Sequence, residues 1–380
     1  MNDNPPHKEL QSESTKASNE AKGTFLFYKL LAFLLLTLFF STPREGLVLP
    51  SWYRFFIDKL CIAIPITFAL WGFYVGLYRE KKQKERTTTQ KNRATSLLFR
   101  GVALYLILDL VGYFYAQQQL SGGKFLSSAL PSLPLVILYP RLHPIGFLWM
   151  IPGVSFILAI SFLVQKLSFY TPTKSATERP LCSNKAKNTH SLRLSIALLL
   201  LLGIAIAFRL FIGKDIAPDL DPFGIISALQ NSCFFMAGML VFQWRKSLSR
   251  RKYRLGVLLL FHVVLFTRIF APIPPFLAPL MNTLYSLFLF AVYSLLAQRG
   301  AKMALKKPWF PIAKYMELIF IGDWFLATTL WPLYEKIPPS PLAESFAILG
   351  IAFVSLLLPS ILLVQATKHL PATNAFPKKM

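Results

Sequence analysis

Three residues of this chain could take or give a proton from within apolar sequence: Asp109 in FRGVALYLILDLVGYF, His262 in LGVLLLFHVVLFTRIF and Asp323 in KYMELIFIGDWFL. A carboxylate or a neutral imidazole placed there can accept a proton from a bound group. Three arginines, Arg100, Arg209 and Arg268, lie near the ends of similar stretches, where a guanidinium can hold a phosphate or a carboxylate. An ionised group at the centre of a bilayer costs at least about 2.5 kcal/mol, so such residues are read by default as belonging to a site. The arginines also have a plainer reading, because their long stems let the charged head reach the headgroup layer. A lone histidine is likewise more often a hydrogen-bonded structural group than a base.

Spacing shows that these groups must find partners on other elements. On one helix, Arg100 and Asp109 stand about 180° and about 13 Å apart, so they cannot pair with each other. Asp109 shares a helical face with Tyr105 and Tyr113, a polar-aromatic stripe that suits a lumen better than lipid. Lys314 and Glu317 are three residues apart and are expected to pair locally. Asp323 sits mid-run beside Trp324 with no basic residue within a turn.

The elements that must position these groups are membrane helices. The chain of 380 residues is 54% hydrophobic and carries only 17 acidic residues, a composition that points away from a soluble domain. Apolar segments of spanning length fall near 24–42, 60–78, 96–116, 144–164, 194–212, 223–243, 255–271, 275–296, 311–333 and 345–366. The expected fold is therefore an all-α polytopic bundle of about ten transmembrane helices. The loops at 79–95, 165–193, 244–254 and 297–308 hold 23 Lys and Arg, whereas the alternate loops hold 7. That alternation accounts for the net charge of +24 without nucleic acid, and it places the basic loops and both termini in the cytoplasm. The same loops could also meet anionic lipid.

Residues 1–23 read as a disordered cytoplasmic tail, 24–366 as a single transmembrane domain and 367–380 as a second cytoplasmic tail. FLSSALPSLPLVILYPRLHP (125–144) contains Pro131, Pro134, Pro140 and Pro144. It fits either a broken, re-entrant piece beside a cavity or an outer surface loop. Gly72 and Gly76 form a small-residue face for close helix packing. The cysteines Cys61, Cys182 and Cys233 have no metal or disulfide spacing, and no phosphate loop, zinc signature or Ser-His-Asp arrangement occurs.

Several short stretches, in order, resemble the acyltransferase 3 family of integral membrane O-acyltransferases. IPITFALWGFYVG (64–76) is similar to its early Phe-rich run ending in Ser-Gly, with Trp71 in place of the serine and Gly72 kept. KNRATSLLFRGVALY resembles its R-x-x-R opening, with Arg100 present and Leu97 at the partner position. HPIGFLWMIPGVSF resembles its Leu-Trp-Phe segment through Leu148 and Trp149, FFMAGMLV its Phe-Phe-x-x-Gly element, and AKYMELIFIGDWFL its late S-x-E-L-Y-L-I-H run. The chain departs from the family at its histidines. FYKLLAFLLLTLFF puts Lys29 and Phe40 where the family has an arginine and a basic histidine, and the late histidine becomes Gly322. FRGVALYLILDLVG is also similar to the Arg-Gly opening of related membrane acyltransferases, with Val111 for the histidine.

The resemblance implies transfer of an acyl group from a cytoplasmic donor such as acyl-CoA (acetyl-CoA) to an envelope sugar or glycolipid, in a bacterial cytoplasmic membrane. Arg100 would hold donor phosphate, Arg209 and Arg268 would meet the acceptor, and Asp109, His262 or Asp323 would replace the missing base. No metal is implied. Two other functions stay open on the same residues: an inactive acyltransferase-like scaffold, and a proton-coupled transporter or lipid-handling protein.

Overall fold

The computed structural model describes residues 6–40, 50–85, 93–121, 132–142, 147–168, 183–212, 217–306, 309–334 and 340–369. Every regular element among them is helical. The long helices are α1 (Pro6–Phe40), α3 (Ala63–Glu85), α4 (Arg93–Ser121), α6 (Met150–Ser168), α7 (Ser183–Ile212), α8 (Ile225–Leu248), α9 (Arg251–Phe270), α10 (Ala278–Ala304), α12 (Met316–Tyr334) and α13 (Pro341–His369). Shorter pieces are α2 (Ser51–Phe55), continued by a π turn Phe56–Leu60, then α5 (Leu133–Leu138) and α11 (Trp309–Lys314). Among the described residues, seven stretches are long and apolar enough to cross a membrane: Asn19–Phe40, Ser51–Glu80, Leu194–Ile212, Pro222–Leu248, Arg251–Phe270, Ala278–Ala304 and Pro341–Ala366. The chain is an integral membrane protein.

The described parts of the three other expected spans, 96–116, 144–164 and 311–333, lie largely on helices that do not count among these seven. The run 311–333 is broken at Tyr315, between α11 and α12, four residues after Pro311. The expected disordered tail is helical from Pro6 onward, because its Lys, Glu, Gln and Ala residues let the helix of the following apolar run extend backward. Residues 1–5, and 370–380 of the C-terminal tail, lie outside the described residues. In the proline-rich segment, residues 132–142 form only the six-residue α5 and a turn of 3-10 helix, Pro140–Leu142. The rest of 125–144 lies outside the described residues.

Two compact units arise from these helices. The first takes Met1–Leu70, Leu248–Phe261 and Phe288–Met380. Its core stacks Tyr28 on Phe290 at 5.8 Å and tilts Phe33 against Phe320 at 5.3 Å. The end of the π turn is tied down within this unit: Tyr293 donates to the Leu60 carbonyl at 2.6 Å, and the Cys61 thiol donates to the Leu35 carbonyl of α1 at 3.3 Å.

The second unit takes Trp71–Ser247 and His262–Leu287. Small residues let its helices touch backbone to backbone, as the Gly72 and Gly76 pattern predicts. A Cβ on Gly72 would overlap the carbonyl oxygen of Phe235, and one on Gly76 would strike the Phe242 ring. Gly153 meets Ala228 in the same way, with its would-be Cβ 2.8 Å from the alanine methyl. Gly72→Leu should therefore force α3 and α8 apart, lowering stability by about 2 kcal/mol or more. Thermal melts in detergent check this, with Gly203→Leu as the neutral control because nothing lies within 4 Å of a Cβ there.

Candidate functional site

Of the six expected site residues, Asp323 belongs to the first unit and Arg100, Asp109, Arg209, His262 and Arg268 to the second. Asp323, in the first unit, accepts hydrogen bonds on both oxygens: Thr37 of α1 donates at 2.7 Å, and Ser355 of α13 donates to the other oxygen. The carboxylate thus joins three helices and is itself buried. It is the bond acceptor that the two hydroxyls need in an apolar setting. One and two-thirds turns earlier on α12, Glu317 is paired with Lys29 of α1. Lys29 also donates to the Lys314 carbonyl at 2.8 Å. Glu317 was expected to pair with Lys314; the backbone break at Tyr315 separates those two residues into different helices, and Lys29 fills the role. Tyr28 completes the row by donating to Ser294 of α10. In all, α1 presents the consecutive Tyr28 and Lys29, and Thr37 about two turns further on, to its neighbours.

In the second unit, Asp109 is 0% exposed, and the flanking Tyr105 and Tyr113 are equally enclosed. This stripe faces α5, not a lumen. Tyr105 donates to the Ile137 carbonyl at 2.6 Å, and Tyr113 shares a 2.5 Å hydrogen bond with Ser132. The proline-broken segment is thus held by the Asp109 face, and its carbonyls gain partners that a regular helix would not need.

The same segment supplies Arg141, whose guanidinium lies 3.6 Å from Asp221. Sequence reading passed over Asp221. It is fully buried and accepts from the Ile226 amide at 2.8 Å, the Ser227 amide at 3.3 Å and the Ser227 hydroxyl at 2.5 Å. Those amides are orphan donors at the start of α8, so Asp221 caps that helix. The signal was present as Asp221-Pro222 just before an apolar run. The turn that follows puts Phe223 at φ 54° and Gly224 at φ 66°. Only glycine suits the second position, where a Cβ would also lie 2.7 Å from the Trp149 carbonyl oxygen. Asp221→Ala should cost about 2 kcal/mol, by loss of the cap and of the Arg141 pair. A melt lowered by several degrees checks this, and Asp221→Asn should recover about half.

Arg209 reaches from α7 to α8, donating to the Gln230 carbonyl and to Asn231 Oδ1, both at 3.1 Å, and lying 5.1 Å from the centre of the Phe234 ring. Arg268 lies over the ring of Tyr285 at 4.4 Å. Arg100 is exposed. His262 is exposed too, on a helix whose buried residue is Phe261. The second unit also contains a cavity of ≈ 350 Å³ among α3, α6, α7 and α8, and none of the six residues lines it. Among the described residues, no three His, Cys, Asp or Glu come together as metal ligands.

These features define an α-helical, multi-pass integral membrane protein. Compared with protein-family models, curated proteins and solved structures, the chain matches none.

Proposed function

We propose that this chain is an acyltransferase-like scaffold of a bacterial cytoplasmic membrane, with ten crossings and both termini in the cytoplasm, that carries out no acyl transfer. The alternation of basic loops supports the orientation. The clamping of Asp323 carries the functional reading. The acid nearest the family's late histidine position has both oxygens committed to hydroxyls from α1 and α13. In the same way, the guanidinium of Arg209 is committed to α8. These two groups, which a transferase could use on substrates, instead tie helices together, Asp323 three of them and Arg209 two. The bilayer is the first partner of such a protein.

A second reading, acyl transfer to a glycan or glycolipid, is favoured by one observation: Asp109 lies between two tyrosines against a broken, proline-rich segment. In that reaction the acceptor hydroxyl oxygen bonds to the thioester carbonyl carbon of acetyl-CoA. Asp109 takes the hydroxyl proton, the C–S bond breaks, and CoA leaves as a thiolate. Membranes rich in the chain, incubated with labelled acetyl-CoA, separate the two readings. The scaffold leaves the label on CoA, and the transferase moves it to glycan.

A further inference from the structure

The ≈ 350 Å³ cavity of the second unit has the shape and lining of a site for one hydrocarbon chain. Its volume lies at the lower end of the roughly 300–1,000 Å³ usual for small-molecule sites. The wall contributed by α7 runs from Leu194 to Phe208, about 21 Å at the helical rise. That exceeds the thickness of one leaflet, about 15 Å, or half of the hydrocarbon core. The cavity is therefore long and narrow, not compact.

Its chemistry is one-sided. Two hydroxyls reach the wall, and both are turned back into their own helices: Ser161 donates to the Leu158 carbonyl at 2.8 Å, and Ser232 to the Leu229 carbonyl at 2.6 Å. A sugar would find nothing there to replace its water. The one charged group in the lining is Arg79. Its end of the cavity is fixed by two neighbouring contacts: Arg245 to Glu80 at 2.5 Å, and Trp244 Nε1 to Ser195 Oγ at 3.3 Å. These bring the C-terminal part of α3, the C-terminal part of α8 and the region of Leu194 on α7 to the same level. The sequence at and beyond these ends is strongly basic: residues 79–95, 165–193 and 244–254 hold 7, 6 and 6 Lys or Arg, Arg79 included. On the far side the wall is open along α7, where Ile204 is 65% exposed.

We propose that this slot takes one acyl chain of an anionic phospholipid from the surrounding bilayer, with the lipid phosphate at Arg79. The chain enters sideways past the open α7 wall and lies against Leu198, Leu229 and Met236. The phosphate meets the guanidinium at the basic end, a charge-assisted contact suited to arginine. The assignment uses none of the residues discussed for acyl transfer, and it stands whether or not that reaction occurs.

The test uses the full chain in nanodiscs of phosphatidylglycerol and phosphatidylcholine in equal parts, with retained lipid identified by native mass spectrometry. The wild type should keep one phosphatidylglycerol after the annular lipids are stripped. Arg79→Gln should lower its preference over phosphatidylcholine about tenfold. Ala197→Phe, which places a ring in the slot from an exposed position, should abolish retention. Leu200→Phe, on the outward face of the same helix, should change nothing. Equal retention of the two lipids, retention unaffected by Ala197→Phe, or a fatty acid in place of the phospholipid would each overturn the assignment.

Discussion

Asp323→Leu should lower the stability of the folded protein by about 3 kcal/mol, seen as a fall of several degrees in the melting midpoint in detergent. Thr37 loses its acceptor and Ser355 keeps only the longer contact with the Ala352 carbonyl at 3.3 Å, since the two hydroxyls bond to opposite oxygens of that carboxylate. Each unsatisfied hydroxyl costs about 1–3 kcal/mol in an apolar setting, and leucine offers neither a substitute. Polar pairs between membrane helices are often weaker, near 0.6 kcal/mol, because the inserted but unfolded chain also finds partners. A carboxylate serving two donors belongs at the upper end. Asp323→Asn keeps one acceptor oxygen and should lose about 1 kcal/mol. In Thr37→Val/Ser355→Ala, the further effect of Asp323→Asn should shrink to a few tenths, the coupling expected of groups in one network.

Lys29→Met is the second large effect. The ammonium is buried, whereas the side chain of Glu317 is 39% exposed, so part of the attraction is screened by solvent. Removing the lysine leaves the glutamate facing α1 with no cation and takes the donor from the Lys314 carbonyl. A loss of about 2 kcal/mol follows, less than the 3–5 of a fully buried pair. Lys29→Met/Glu317→Leu should recover most of it, because replacing both members with apolar groups removes the stranded charge. Melting curves of the two single variants and the double variant measure this directly. Additive losses would show that Lys29 and Glu317 act independently.

The helices could be read from the sequence because each apolar run is long and bounded by charge, as in LLGIAIAFRLFI or ILGIAFVSLLL. Which face of each helix turns inward could not. α9 is apolar on all sides, so LGVLLLFHVVLFTRIF gives no stripe to show that His262 points outward while Phe261 is buried. The pairings were hidden for a related reason. Thr37 looks like one polar residue in LLLTLFF, and only the fold puts it beside Asp323, 286 residues away. The Asp109 stripe was legible, since Tyr105 and Tyr113 repeat at helical spacing, but the partner that covers it was not. A proline-rich run lacks the periodicity that would say where it packs. Gly72 was legible as a packing residue because a small side chain in an apolar helix has few other uses.

The scaffold reading requires that Asp323 and Arg209 serve to join helices and not to handle a substrate. Acyl transfer from labelled acetyl-CoA, measured in membranes rich in the wild type, Asp109→Asn or Asp323→Asn, tests it most directly. The expected result is label transfer no greater than in membranes lacking the chain, and the same for all three proteins. Transfer by the wild type that disappears in Asp109→Asn would contradict the scaffold reading and make Asp109 a catalytic base.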